Sequence, residues 1–146
     1  LQLSNKYMKN VDKACICSTK DSQIKFEENK RKIIFLNPSN HRYKKVKVDG
    51  CAIKTGQKCD DLLISQDEHE EHFVELKGVD IMHAIDQLEQ TILKIGEFDD
   101  NRHSYIICTN VAPAYTTTIQ KKQKYFRQKY KSELLIKEKQ WTVKLY

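Results

Sequence analysis

The reactive side chains of this sequence concentrate in two stretches, Cys59-Asp60-Asp61-Leu62-Leu63-Ile64 and His72-Phe73-Val74-Glu75-Leu76-Lys77-Gly78. Carboxylates crowded at one place repel each other unless a proton or a cation neutralises them. A hard divalent cation such as Mg2+, or Mn2+ in its stead, takes oxygen ligands and keeps several of its waters. Such an ion polarises a phosphate, activates a water and stabilises a leaving oxygen. A lysine beside it can orient the attacking water or stabilise developing negative charge. Two acids, one lysine and one cation are therefore sufficient parts for phosphodiester hydrolysis. Glu-x-Lys alone on a strand is commonly a solvated pair of small energetic weight. Here the acids sit on apolar strands, where charged residues are not expected without a use.

These side chains need a strand pair to bring them together. Leu62-Leu63-Ile64-Ser65 is a short apolar strand, and residues 72–77 form its partner. Two strands joined by a loop run antiparallel, so Asp60 and Asp61 at the start of the first meet Glu75 and Lys77 at the end of the second. Side chains alternate along a strand, so Glu75 and Lys77 share a face and Leu76 points into the core. Asp61 directly precedes the apolar triplet, whereas Asp60 shares parity with Leu62 and Ile64; both are eligible as the partner of Glu75. The intervening SQDEHEEH reads as a solvated loop, because the spacing in Asp67-Glu68-His69-Glu70-Glu71-His72 is not that of a zinc-binding helix. Asp49, before Gly50, is a third acid on a neighbouring strand or an ordinary turn aspartate.

The other elements follow from periodicity. The opening segment to about Cys17 is helix or loop, and residues 21–31 show weak helical spacing. Ile33-Ile34-Phe35-Leu36 runs into a turn at Asn37-Pro38-Ser39-Asn40. Residues 43–49 alternate apolar and basic, as a strand does. From Asp80 to Ile95 the apolar positions recur at helical spacing, with Asp80 as N-cap and Gly96 as the stop. Residues 104–110 read as a buried strand, 116–131 as a basic helix, and 133–137 with 141–145 as a closing hairpin. The fold class is therefore α/β, a central mixed β-sheet flanked by helices.

An aspartate, then Glu-x-Lys across a hairpin, then Gly78 and a helix, resembles the PD-(D/E)xK nuclease superfamily, the restriction-endonuclease-like fold. The resemblance covers residues 44–110, about half of the chain. It implies that Asp60 or Asp61 and Glu75 bind Mg2+, that the Leu76 carbonyl adds a ligand, and that Lys77 positions the water. It further implies a glutamine on the following helix, Gln87 or else Gln90, and a glutamate on a first helix, Glu28 or Glu27. Cys59 stands where the family has its proline.

Composition fits this reading. The chain has 146 residues, 39% hydrophobic and 32% charged, which suits one domain (1–146) with a modest core and a heavily solvated surface. Residues 60–100 hold 13 Asp/Glu against 2 Lys/Arg, and the remainder 7 against 24. An acidic centre between basic flanks suits a protein that grips a polyanion and holds a cation. Lys121, Lys122, Lys124 and Arg127 interleave with Tyr125, Phe126 and Tyr130 on the basic helix, and Lys44, Lys45 and Lys47 form a second patch. These are candidate phosphate contacts, with the tyrosines as stacking or core residues. Five cysteines at irregular spacing make a poor disulfide framework and read as reduced thiols, Cys108 as a buried one. With no apolar run long enough to span a bilayer and no secretory stretch in LQLSNKYMKN, the expected location is the cytoplasm. The expected partner is nucleic acid, DNA before RNA, and a homodimer would present one site to each strand of a duplex. Two other readings compete. A non-catalytic nucleic-acid-binding module predicts loss of an acid or of the lysine, and none is lost. A protein-interaction domain predicts no cation binding.

Overall fold

A computed structural model of the chain describes residues 11–65, 67, 69–78, 80–111 and 116–145. The first ten residues of the opening segment, and Glu68 of the acidic stretch, lie outside the described residues. Among the described residues a 3-10 turn (Lys13–Cys15) leads into nine strands and two α-helices. They are β1 (Ile16–Thr19), β2 (Gln23–Glu28), β3 (Arg31–Leu36), β4 (Tyr43–Lys47), β5 (Asp61–Ser65), β6 (Glu70–Leu76), α1 (Ile81–Ile95), β7 (Arg102–Cys108), α2 (Thr116–Tyr130), β8 (Ser132–Glu138) and β9 (Gln140–Lys144). The architecture is α/β with a six-stranded mixed sheet in the order β1-β4-β5-β6-β7-β8 and a three-stranded sheet in the order β2-β3-β9. The first four strands of the large sheet are antiparallel neighbours, while β6, β7 and β8 run parallel.

The sheet is not flanked by helices on both faces. The two parallel crossovers, β6-α1-β7 and β7-α2-β8, step across the sheet in the same direction. Such crossovers are right-handed almost without exception, so both helices fall on one face. There Ala84, Ile85, Leu88 and Phe126 pack on Leu62, Ile64, Phe73 and Ile106. The small sheet covers the other face, where Ile24, Ile33, Phe35 and Leu145 meet Leu63, Val74, Leu76, Tyr105 and Ile107.

Three further expectations are corrected. Residues 21–31 hold strand β2 and the turn into β3, with Ile24 and Phe26 alternating inward. That turn has Asn29 and Lys30 both at positive φ (49° and 67°), as a tight primed hairpin turn requires, though neither residue is glycine. Residues 132–144 do not close as a hairpin: β8 pairs with β7, and β9 pairs in parallel with β3. The chain changes sheets at Lys139, also in the left-handed region (φ 66°), whose N–H donates to the Cys108 carbonyl and whose carbonyl accepts from Lys32. The cysteines are not all reduced. The 3-10 turn lies beside the loop after β4, and Cys15 forms a disulfide with Cys51 across a Cα separation of 5.7 Å. Cys108 is a free buried thiol, as the sequence suggests, and Cys59 and Cys17 are also free.

The acidic stretch is corrected too. Glu70, Glu71 and His72 belong to β6, which is covered on both faces, so each polar group there must be paired. Glu71, with no exposed surface, accepts from Arg102 Nε at 2.6 Å and from the Glu97 N–H. The Arg102 Nη1 donates to the Tyr130 carbonyl at 2.7 Å, tying β6, β7 and the end of α2 together. Gly96 belongs to the same joint: a Cβ there would lie 2.5 Å from the Ile92 oxygen and 2.8 Å from Arg102 Nη2. Burial pushes the Glu71 carboxyl up, and the Arg102 charge opposes it. Removing one partner of such a pair strands the other, so Arg102→Met is expected to destabilise the fold by about 3–5 kcal/mol; a urea titration with unchanged midpoint would refute this.

Glu70 bonds to His72 Nε2 (2.6 Å) and accepts from the Tyr43 hydroxyl (3.1 Å), and His72 Nδ1 meets the Tyr105 hydroxyl at 2.9 Å. This network sits between the two sheets, at the end of β6 opposite Glu75.

Candidate active site

The strand pair forms as the alternation predicts. β5 and β6 are antiparallel, with Asp61 opposite Val74. Asp60, one residue before β5, therefore lies level with Glu75, and its Oδ2 accepts from the Leu76 N–H at 2.8 Å. The Asp60 carbonyl accepts from the Val48 and Asp49 N–H groups at 3.0 and 3.2 Å. Asp60 is thus held on one side by the end of β6 and on the other by the loop after β4. Leu76 is buried against the small sheet, as expected.

Glu75 alternates with Val74 and Leu76, so its side chain enters the helical face. It is only 2% exposed, and its Oε1 has no hydrogen-bond partner. An acceptor buried without a partner costs about 1–3 kcal/mol. Burial drives the Glu75 carboxyl up to about 8, the Asp60 charge pushes the same way, Lys77 opposes them, and Asp49 adds to the rise. The Asp60 carboxyl is also raised, by burial first, with the Leu76 N–H opposing, Glu28 and Asp49 raising and Lys77 lowering. Asp60, Glu75 and Lys77 therefore form one electrostatic unit.

Asp61 faces elsewhere. Burial and the Asp60 charge lift its carboxyl to about 6, while Lys47 and Lys45 of β4 pull it down. It shares parity with Leu63, on the small-sheet side, and Lys47 is its cross-strand partner. Asp60 thus lies level with Glu75 and Asp61 opposite a β4 lysine, while both line one cleft.

Helix α1 supports the site from below. Asp80 caps it, accepting from the His83 N–H at 3.0 Å. Gln87 donates from Nε2 to the Lys58 carbonyl at 3.0 Å, two residues before Asp60. Its Oε1, like that of Glu75, is buried without a partner. Thr91 Oγ1 accepts from the Cys59 N–H at 2.7 Å and donates to the Gln87 carbonyl at 2.8 Å. Cys59 itself is fully buried, and burial raises its thiol well above the ordinary range, so it is a neutral neighbour.

Asp60 and Asp61 open onto a cleft of about 490 Å³, walled by Lys25, Glu27, Glu28, Lys45, Lys47 and Asp49 among others. Glu27 and Glu28 do reach this region, from strand β2 rather than a helix. The signal for that placement was in the sequence, in the alternation of Ile24 and Phe26 just before them. Lys44 points to the opposite face, lining a small pocket with Arg42, Ile64 and Asp67. Lys121, Lys124 and Arg127 are exposed on α2, and Lys122 is half-buried with its Nζ 5.5 Å from the Tyr125 ring centre. Phe126 and Tyr130 are core residues, while Tyr125 is exposed. This basic helix packs beside β8 at the sheet edge, two strands from β6, so it does not wall the acid site.

Among the described residues no three His, Cys, Asp or Glu side chains converge as a ready-made metal cage. The oxygens that could serve a cation are the free Oε1 of Glu75 and the Asp60 carboxylate. That set suits a hard cation that keeps much of its water. The raised Glu75 fixes a pH dependence. Its folded state holds a proton more tightly than the ordinary value of 4.5, so without a cation stability is expected to fall as pH rises from about 4.5 to about 8 and then level off. Cation affinity is expected to rise over the same window, since the ion must displace that proton. Thermal melts with chelator and with Mg2+ at pH 5, 7 and 9 check both; a cation-free protein whose stability climbs from pH 5 to 9 would refute the assignment.

Among the described residues no helix is long and apolar enough to cross a membrane. Compared with known proteins, the chain matches no family model, no curated protein and no solved structure.

Proposed function

We propose that this chain is a Mg2+-dependent nuclease that hydrolyses phosphodiester bonds in nucleic acid, DNA before RNA, on a restriction-endonuclease-like core. One observation carries the reading: a buried carboxylate with an unpartnered oxygen, Glu75, placed beside Asp60 and Lys77 at the end of a hairpin. Such an arrangement holds a proton that a divalent cation would displace, leaving the crowded acids neutralised by the ion instead. Asp60 and Glu75-Leu76-Lys77 across the hairpin, followed by Gly78 and the capped helix α1, support the likeness to PD-(D/E)xK nucleases.

In this reading Asp60, Glu75 and the Leu76 carbonyl hold the cation. Bound there, the ion supplies Lewis acidity toward the phosphate and the leaving oxygen. Lys77 orients the attacking water and stabilises charge that develops on the phosphate oxygens. Gln87 fixes the Lys58–Asp60 segment against α1. Asp61 with Lys45 and Lys47 lines the route by which a phosphate backbone reaches Asp60. The cations of α2 add a second, distant contact to the polyanion.

The test is cleavage of plasmid and of RNA with Mg2+ or Mn2+, against chelated controls, using the wild-type chain and Asp60→Asn. Cation-dependent cleavage, lost in Asp60→Asn and retained in Asp61→Asn to within about tenfold, is the expected result. No cleavage of either substrate would overturn the catalytic reading, and salt-dependent binding without cleavage would favour a binding module on the same fold.

A further inference from the structure

The cleft beside the candidate site is also lined by Cys15 and Cys17. Cys15 is bonded to Cys51, 36 residues later, and Cys51 stands two residues after Asp49. The disulfide therefore joins the segment entering β1 to the loop whose Val48 and Asp49 N–H groups hold the Asp60 carbonyl. Of the two joined parts, the strand is the less firmly anchored. Strand β1 lies at the edge of the large sheet, pairs only with β4 over four residues and buries none of its own side chains completely. The loop carries short-range bonds, Gly50 to Ile53, Cys51 to Val48 and Ile53 to Val48, besides its two bonds to the Asp60 carbonyl and the buried Val48 and Ile53 side chains. The inner half of the joint, Cys15 with Val11 and Ile53, is buried in the helix-side core. Cys17, two residues from Cys15, is free and exposed.

We propose that the thiol–disulfide state of Cys15 and Cys51 regulates this site, by setting how firmly the loop after β4 holds Asp60; the functional consequence rests on the nuclease reading above. With the bond closed, β1 and the loop move as one body and Asp60 stays level with Glu75. An external dithiol opens it. One thiolate attacks a cystine sulfur to give a mixed disulfide, and the second thiolate displaces the protein thiol. Two electrons pass to the cystine, Cys15 and Cys51 each end as a thiol, and the reductant ends as its own disulfide. Opening removes a constraint across a long stretch of chain and leaves edge strand and loop to move independently. Asp60 then spends less time in the position where it shares a cation with Glu75.

The experiment is amide hydrogen exchange on the full chain, oxidised and then reduced with a dithiol, alongside Cys51→Ser and Cys17→Ser. The expected result is that the Val48, Asp49 and Leu76 amides exchange at least about tenfold faster after reduction and in Cys51→Ser, while the amides of β7 are unchanged. Cys17→Ser is expected to respond as wild type does. Mg2+ affinity by calorimetry is expected to fall at least about tenfold with reduction. Unchanged exchange at those amides, or an equal rise across β7 that marks general destabilisation, would overturn the proposal. An absence of cleavage in both redox states would count against the nuclease reading alone, since the exchange result does not depend on activity.

Discussion

Replacing Glu75 with glutamine is expected to abolish cleavage and stabilise the protein in the same variant. The carboxylate is buried, has an unpartnered Oε1 and carries a carboxyl driven up to about 8 by burial and by the Asp60 charge. Above that pH the wild-type fold holds an unfavourable buried charge that an amide never acquires. A gain on the order of 1 kcal/mol, roughly 3–5 °C in melting temperature for a chain of this size, is expected at pH 9 without divalent cation. At pH 5 the wild-type side chain is protonated and the difference should vanish. Cleavage should fall at least about 10²-fold, because an amide offers the cation no charge. The sign of the stability change is the decisive part. A variant less stable than wild type at pH 9 would mean that Glu75 has a partner in solution, and the case for a cation site would fail.

Lys77→Ala is expected to lose cleavage by about 10²–10³-fold while leaving Mg2+ affinity at or above the wild-type level. The lysine charge lowers both Asp60 and Glu75, so removing it leaves the two carboxylates more in need of a counter-ion. A loss of turnover without a loss of cation binding separates a group that acts on the phosphate or the water from one that holds the metal. Lys77→Arg should not restore the rate, because a planar guanidinium presents its donors in a different geometry from a compact ammonium. Cleavage that survives in Lys77→Ala and Glu75→Gln alike would remove this site from consideration altogether.

The parts of the fold that local pattern dictates were visible in the amino-acid order. Asp80 and the apolar spacing through Ile95 specify α1, because a cap and a 3.6-residue period act within one helix. The antiparallel pairing of residues 62–65 with 72–77 follows from two apolar runs on either side of a short polar stretch. The same pairing brings one aspartate level with Glu75 whatever the rest of the chain does. The β2–β3 hairpin was hidden because its left-handed turn uses Asn29 and Lys30 in place of glycine. Glu70 and Glu71 were hidden because their charges are balanced by partners far along the chain, Arg102 for Glu71 and Tyr43 for Glu70. No window around them contains that information.

The candidate residues Asp60, Asp61, Glu75 and Lys77, and the hairpin that gathers them, were legible in order and spacing alone, whereas Gln87 was implied only by the family resemblance. Three things were decided only by the tertiary structure. The first is the surroundings of the two aspartates, Asp60 bonded to the Leu76 N–H and Asp61 opposite Lys47, which depend on how β4, β5 and β6 pair. The second is the burial of Glu75, which requires α1 to close over β6 and is the source of its raised carboxyl. The third is the Cys15–Cys51 bond, which exists because β1 pairs with β4 and carries the 3-10 turn to the loop beyond it. In each case the reason is the same: strand alternation is a local property, whereas dielectric environment and proximity across 36 residues of chain depend on what packs against what.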